Sequence, residues 1–206
     1  MLKLKIHNRL APAQCHEAAE LYAAAFESKC SYFFGSKADI VSLFPAMVNS
    51  DQVLALIMND NELIGITGFS LLKSPMLQVK LSVMLQKYGY LNGLLRYCRW
   101  RLFFYRSFPD KHLYIDAVAI KEGHRGKGYV RLLLNEAEKI ALQKGMTYLE
   151  LDVADDNEPA FQAYKKEGFT IVKVTEIPNY YAKIFHVAKV TTMVKILEQN
   201  WFKTKS

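Results

Sequence analysis

The segment that most limits what this chain can become is Val118-Ala119-Ile120. This short apolar run leads through Arg125-Gly126-Lys127-Gly128 into a long stretch of helical apolar periodicity. A buried strand that enters a basic glycine loop and then a helix offers main-chain N–H groups to an anion, at the positive end of the helix dipole. Gly126 and Gly128 let a phosphate approach the backbone, and Arg125 and Lys127 add charge. The loop is not a Walker A sequence, because no Gly-Lys-Ser/Thr follows at the required spacing. Nor does it read G-x-G-x-x-G, so neither nucleotide-binding fold is supported. Taken alone, the loop also reads as an ordinary strand–helix turn with solvated lysines.

A second block, about thirty residues on, narrows the choice. Leu149-Glu150-Leu151-Asp152-Val153 alternates like a strand. Asp155, Asp156 and Asn157 stand where a helix is capped, and Pro159 suits its first turn. On that helix Asn157 and Tyr164 fall two turns apart, on nearly the same side. Gly168 ends the helix and Phe169-Thr170-Ile171-Val172 opens another strand.

In this order and spacing, residues 112–175 resemble the GNAT superfamily of acyl-CoA N-acyltransferases. The resemblance implies an α/β fold: a mixed, largely antiparallel central sheet with helices on both faces. It implies acetyl-CoA as cosubstrate and direct acetyl transfer to a primary amine in a ternary complex. It places the pyrophosphate on the backbone of Arg125, Gly126, Lys127, Gly128, Tyr129 and Val130. Val118 and Ile120 would pair with the pantetheine amides, Asn157 would touch the CoA arm, and Tyr164 would protonate the departing thiolate. Two positions depart from the pattern. Gly123 stands where the family carries Gln or Arg, and Tyr129-Val130 replaces the usual Ile-Gly. The other class of function open to this chain is a GNAT-fold module that binds CoA or a partner without turnover.

Amine acylation needs the acceptor deprotonated, directly or through water. Strand alternation puts His112, Tyr114, Asp116 and Val118 on one face. Asp116 stands nearer the acyl carbon implied by the resemblance, and His112 lies about 13 Å upstream at ~3.3 Å per residue. Either can serve as base. Asp116 can equally accept backbone hydrogen bonds or hold the substrate ammonium. Glu27, Asp39, Asp116 and Glu176 are candidates for an acidic wall around a cationic acceptor.

The 206 residues suit one domain spanning 1–206. The N-terminus alternates as a strand over 2–8 and carries no signal-peptide core. Cys15, Cys30 and Cys98 are odd in number and form no motif, which fits a reducing, cytoplasmic location and no metal site. Helices are expected near 13–26, 37–49, 128–144 and 158–167. Strands are expected at 53–58, 62–71, 112–120, 147–153, 169–175 and 187–197, with a hairpin at Asn59-Asp60-Asn61. Residues 177–181 overhang the acceptor mouth or make a dimer contact.

Between strands lies a helical insertion, 72–110, dense in basic and aromatic residues. With Lys111 it holds eight basic side chains against one acid, Asp110, a surplus equal to the +7 of the whole chain. As a helix, Leu91, Leu95, Cys98, Leu102 and Tyr105 line one side and Arg96, Arg99 and Arg106 another. The first reading is packing on the sheet or on a second subunit, with the arginines solvated. A wall or lid of the acceptor pocket comes next, and docking on a membrane surface or acidic partner last. No nucleic-acid module surrounds it. The partners expected are therefore an amine-bearing acceptor first, a second copy of the chain next and a membrane surface last, with no nucleic acid.

Overall fold

Seven strands and seven α-helices alternate along the chain in this computed structural model, which describes residues 3–59, 61–71, 74–104 and 109–197. They are β1 (Leu4–His7), α1 (Cys15–Phe34), α2 (Lys37–Met47), β2 (Val53–Met58), β3 (Glu62–Ser70), α3 (Leu81–Tyr88) and α4 (Tyr90–Phe104), followed by β4 (His112–Ile120), α5 (Tyr129–Gln143), β5 (Tyr148–Ala154), α6 (Glu158–Lys166), β6 (Thr170–Glu176), α7 (Asn179–Phe185) and β7 (Lys189–Ile196). The strands form one sheet in the order β1-β2-β3-β4-β5-β7-β6, in which β4–β5 is the one parallel pair.

β2 and β3 read as near-continuous apolar runs because both of their faces are covered. On one face α5 and α6 close a core of Leu54, Leu56, Leu113, Ile115, Leu149 and Leu151. On the other, α1 to α4 close a core around Phe33, Phe34, Phe44, Ile66 and Trp100. The hairpin expected at 59–61 is present: Met58 pairs with Glu62, and Asn59 takes the positive φ (51°) that Asn tolerates. Asp60 lies outside the described residues.

Three expectations change. The helix expected near 13–26 runs on to Phe34, because Phe33 and Phe34 are buried against Trp100 of α4, 5.6 and 4.9 Å between rings. Residues 177–181 are no free overhang. They lead into α7, whose Tyr181 and Phe185 pack edge-on against Phe103 at 4.6 and 5.5 Å.

The insertion is helical, but α4 is turned the opposite way round. Its Trp100 and Arg96 face the protein: Arg96 donates to the Phe33 carbonyl (3.0 Å) and lies 4.5 Å from the Tyr88 ring centre. Arg99 sits over Tyr32 at 5.0 Å. The leucine stripe faces out. Trp100 meets three aromatic rings, Phe33, Phe34 and Phe104, and that cluster holds the aromatic side of the helix inward. Lys73, Tyr105, Arg106 and Phe108 lie outside the described residues.

Candidate active site

The sheet is open at its parallel pair. β4 and β5 share only four partner pairs, from His112↔Tyr148 to Ile115↔Leu151, while β4 continues to Ile120 and β5 to Ala154. Beyond Ile115 the two strands part. The bond from the Lys121 N–H to the Ile64 carbonyl (2.9 Å) sets the parity of the β3–β4 ladder. Residues 117, 119 and 121 turn their main-chain groups to β3. Val118 and Ile120 therefore turn theirs to the gap. The Ile120 carbonyl accepts from Arg125 Nε at 3.2 Å.

Where the strands part, β4 bulges. Gly68 pairs with Ala117 but Phe69 pairs with Ile115, which leaves Asp116 as the extra residue. The bulge inverts the alternation. Leu113 and Ile115 belong to the α5-side core, and so do Val118 and Ile120, while Ala117 and Ala119 belong to the α1-side core. The expectation that Val118 shares a face with His112 and Tyr114 is thus corrected, since one inserted residue moves every later side chain to the opposite face.

Asp116 itself is exposed at the lip of the gap and accepts a hydrogen bond from Ser70 Oγ. Ser70 is buried and its Oγ accepts from the Met76 N–H at 2.9 Å, so the hydroxyl proton is aimed at the carboxylate. Ser70 was not among the residues singled out from sequence. The available signal was a hydroxyl closing an otherwise apolar buried strand. Behind Asp116 lies Tyr22, whose hydroxyl is held well above its usual pKa first by burial, with Cys30 and the Asp116 charge adding to it.

The glycine loop continues from β4. Gly126 (φ 74°) and Gly128 (φ 78°) are both left-handed, and a Cβ on either would meet nothing within 4 Å. Their requirement is conformational, and the space before the loop is open. Gly128 stands at the N-terminus of α5, which has no side-chain cap and no acid in its first turn. Lys127 Nζ donates back to the Gly123 carbonyl at 2.9 Å, which braces the turn. Val130, the branched residue where the family pattern has glycine, packs against the α5-side core.

Tyr164 is 8% exposed in that same core, with its ring 5.9 Å from Phe169. Burial pushes its pKa to about 12, so the hydroxyl is a proton donor throughout the ordinary pH range. Asn157 is the N-cap of α6 and lies just outside the helix; its Oδ1 accepts from the Ala160 N–H at 3.3 Å. Asp155 serves elsewhere, accepting from the Ala188 and Lys189 N–H groups (3.2 and 3.0 Å).

His112 lies in the closed part of the ladder. Its Nδ1 is 2.6 Å from Glu150 Oε2, and its ring lies tilted against Tyr148 at 4.6 Å between centroids. Of the four acids considered for an acidic wall, Asp39 closes the capping box of α2 and pairs with Lys87 (2.8 Å), and Glu176 pairs with Lys189 (3.5 Å). No three His, Cys, Asp or Glu side chains cluster as metal ligands among the described residues.

The arrangement has two sides. Val118, Ile120, Val130 and Tyr164 meet on the α5 side, Asp116 stands with Ser70 on the other, and the gap between β4 and β5 joins them. An extended chain of amides can enter such a gap as a surrogate strand, with an anion at the end of it on the glycine loop.

Known proteins resemble this chain in sequence and in fold. Sixty residues are 38% identical to a streptothricin acetyltransferase of Streptomyces lavendulae, covering 29% of this chain and 32% of that protein. Sixty-six are 30% identical to a thialysine N-epsilon-acetyltransferase of Bos taurus, covering 32% and 39%. The matched segments thus span about a third of these curated relatives. A putative acetyltransferase from Salmonella typhimurium, solved with acetyl-CoA, superposes with a TM-score of 0.58 at 15% identity, over 96% of each chain. The acetyltransferase (GNAT) family matches residues 16–169, most of the sequence, and this chain belongs to that family.

Proposed function

We propose that the chain transfers an acetyl group from acetyl-CoA to a primary amine, directly, in a ternary complex. The observation that carries this reading is the gap: two consecutive outward-turned backbone positions, Val118 and Ile120, end in an uncapped helix preceded by two left-handed glycines. Both relatives are named acetyltransferases, one of them for an Nε acceptor, and the Salmonella structure carries acetyl-CoA as its cofactor.

Each residue has a part. Val118 and Ile120 bind the amide arm by main-chain pairing, and Arg125 releases the Ile120 carbonyl to do so. The backbone of Gly126 to Val130, with Arg125 and Lys127, neutralises the pyrophosphate. Bound there, acetyl-CoA supplies a thioester that a neutral amine can attack. Asp116, held by Ser70, orients the incoming ammonium and takes its proton directly or through water. Tyr164, protonated at working pH, gives a proton to the departing sulfur. His112 keeps Glu150 and stays outside the transfer in this reading.

Thiol release from acetyl-CoA across a panel of primary amines, with CoA titrated calorimetrically on the same samples, tests the proposal. Amine-dependent release, reduced about 10²-fold in Tyr164→Phe with CoA affinity unchanged, is expected. CoA binding without release on any amine would favour the non-catalytic module instead.

A further inference from the structure

The outward face of α4 carries the second inference, which stands independently of the transfer reading. Leu91, Leu94, Leu95, Cys98 and Leu102 recur at helical spacing and are all exposed, Leu91 at 81% and Leu102 at 83%. Tyr90 and Arg101 extend one margin of this stripe, and Arg99 flanks the other. The helix is not free to turn the stripe inward. Trp100 stacks on Phe104 at 4.0 Å and meets Phe33 and Phe34, and Gly93 is pressed against the backbone of α3. An apolar stripe of this length fixed toward solvent marks a surface that something covers.

Charge identifies the occupant. From residue 80 to 104 the sequence has no acid at all; Lys87 and Arg96 are turned inward, onto Asp39 and the Phe33 carbonyl, while the half-buried Arg99 and the exposed Arg101 flank the stripe. A two-fold pairing of α4 with its own copy would set arginine against arginine with no carboxylate to compensate. An anionic lipid surface meets both features at once, taking the leucines into its acyl boundary and the arginines at its headgroups. None of the helices is long and apolar enough to cross a membrane among the described residues. The helix would lie on the surface.

We propose that α4 docks the protein on anionic bilayers, leucine face down and parallel to the membrane plane. Sedimentation with vesicles of phosphatidylcholine containing phosphatidylserine, against vesicles of phosphatidylcholine alone, tests it on the full chain. The double variant Leu91→Glu/Leu102→Glu changes two exposed positions, and circular dichroism verifies that it folds. Binding to the anionic vesicles is expected, with at least about a tenfold loss in the variant, since each leucine contributes more than that factor when buried. No binding to anionic vesicles overturns the proposal. So does binding that the variant retains, which would be a headgroup attraction away from α4. Light scattering that shows a dimer dissolved by the same variant, without vesicle binding, would assign the stripe to a second copy.

Discussion

Asp116 is the extra residue of a bulge, next to the point where the β4–β5 ladder ends, and its carboxylate is exposed and held by Ser70. Ser70 fixes that carboxylate, because its Oγ accepts from the Met76 N–H and so has its proton directed at Asp116. Asp116→Asn removes the charge and the base, and is expected to lower kcat/KM for the amine by about 10²-fold. Ser70→Ala leaves the carboxylate but loosens it, and should cost about tenfold, with CoA affinity unchanged in both as read by calorimetry. Equal losses in the two variants would mean that Ser70 acts on folding alone, which a thermal melt distinguishes.

The bulge was not legible in the sequence. No glycine or proline marks it, and alternation along 112–120 reads as an unbroken strand, so Val118 was assigned to the wrong face. The glycine loop was legible because Gly126 and Gly128 announce their left-handed angles directly.

At the scale of elements, long periodic segments were the easy ones. β4 was placed at its observed ends, and α5 and α6 within a residue or so, because their apolar periods match the core they face. The last two turns of α1 depend on a tertiary contact, Phe33 and Phe34 against Trp100, that no local pattern announces. Seven-residue α7 is too short for periodicity to register. The orientation of α4 was misread for a related reason. Its leucine stripe is the better local signal, but the aromatic side wins because Phe33, Phe34 and Phe104 surround Trp100.

The α3–α4 crossing rests on Gly93. A Cβ there would stand 2.5 Å from the Met84 carbonyl oxygen and 2.8 Å from Leu85 Cα, and backbone cannot yield as a side-chain tip can. Gly93→Ala should therefore destabilise the protein by about 2–3 kcal/mol despite alanine's better helix propensity, as chemical denaturation would show. A stabilised Gly93→Ala would contradict the close crossing.

For the molecule as a whole, three buried acids oppose alkaline conditions. Burial raises Tyr164 to about 12 and Cys30 to about 11, and lifts Tyr22 well above the ordinary tyrosine value. Each folded-state pKa exceeds the unfolded one, so the folded chain keeps protons that the unfolded chain gives up. Stability is full below about pH 9 and falls as pH rises through the folded values. Denaturation at a series of pH values should show the decline, and Cys30→Ala should flatten its lower part between pH 9 and 11. An unchanged midpoint up to pH 11 would contradict the burial of these groups.

The central claim is that the gap between β4 and β5 receives an amide chain through Val118 and Ile120. Residue-resolved hydrogen exchange, with and without CoA, tests it most directly, because neighbouring residues act as controls. The account predicts that CoA slows exchange at the N–H groups of Val118 and Ile120 and in the loop from Gly126 to Val130. Ala117 and Ala119, already bonded to β3, should change little. Protection that spares Val118 and Ile120, or falls equally on all four, would contradict it.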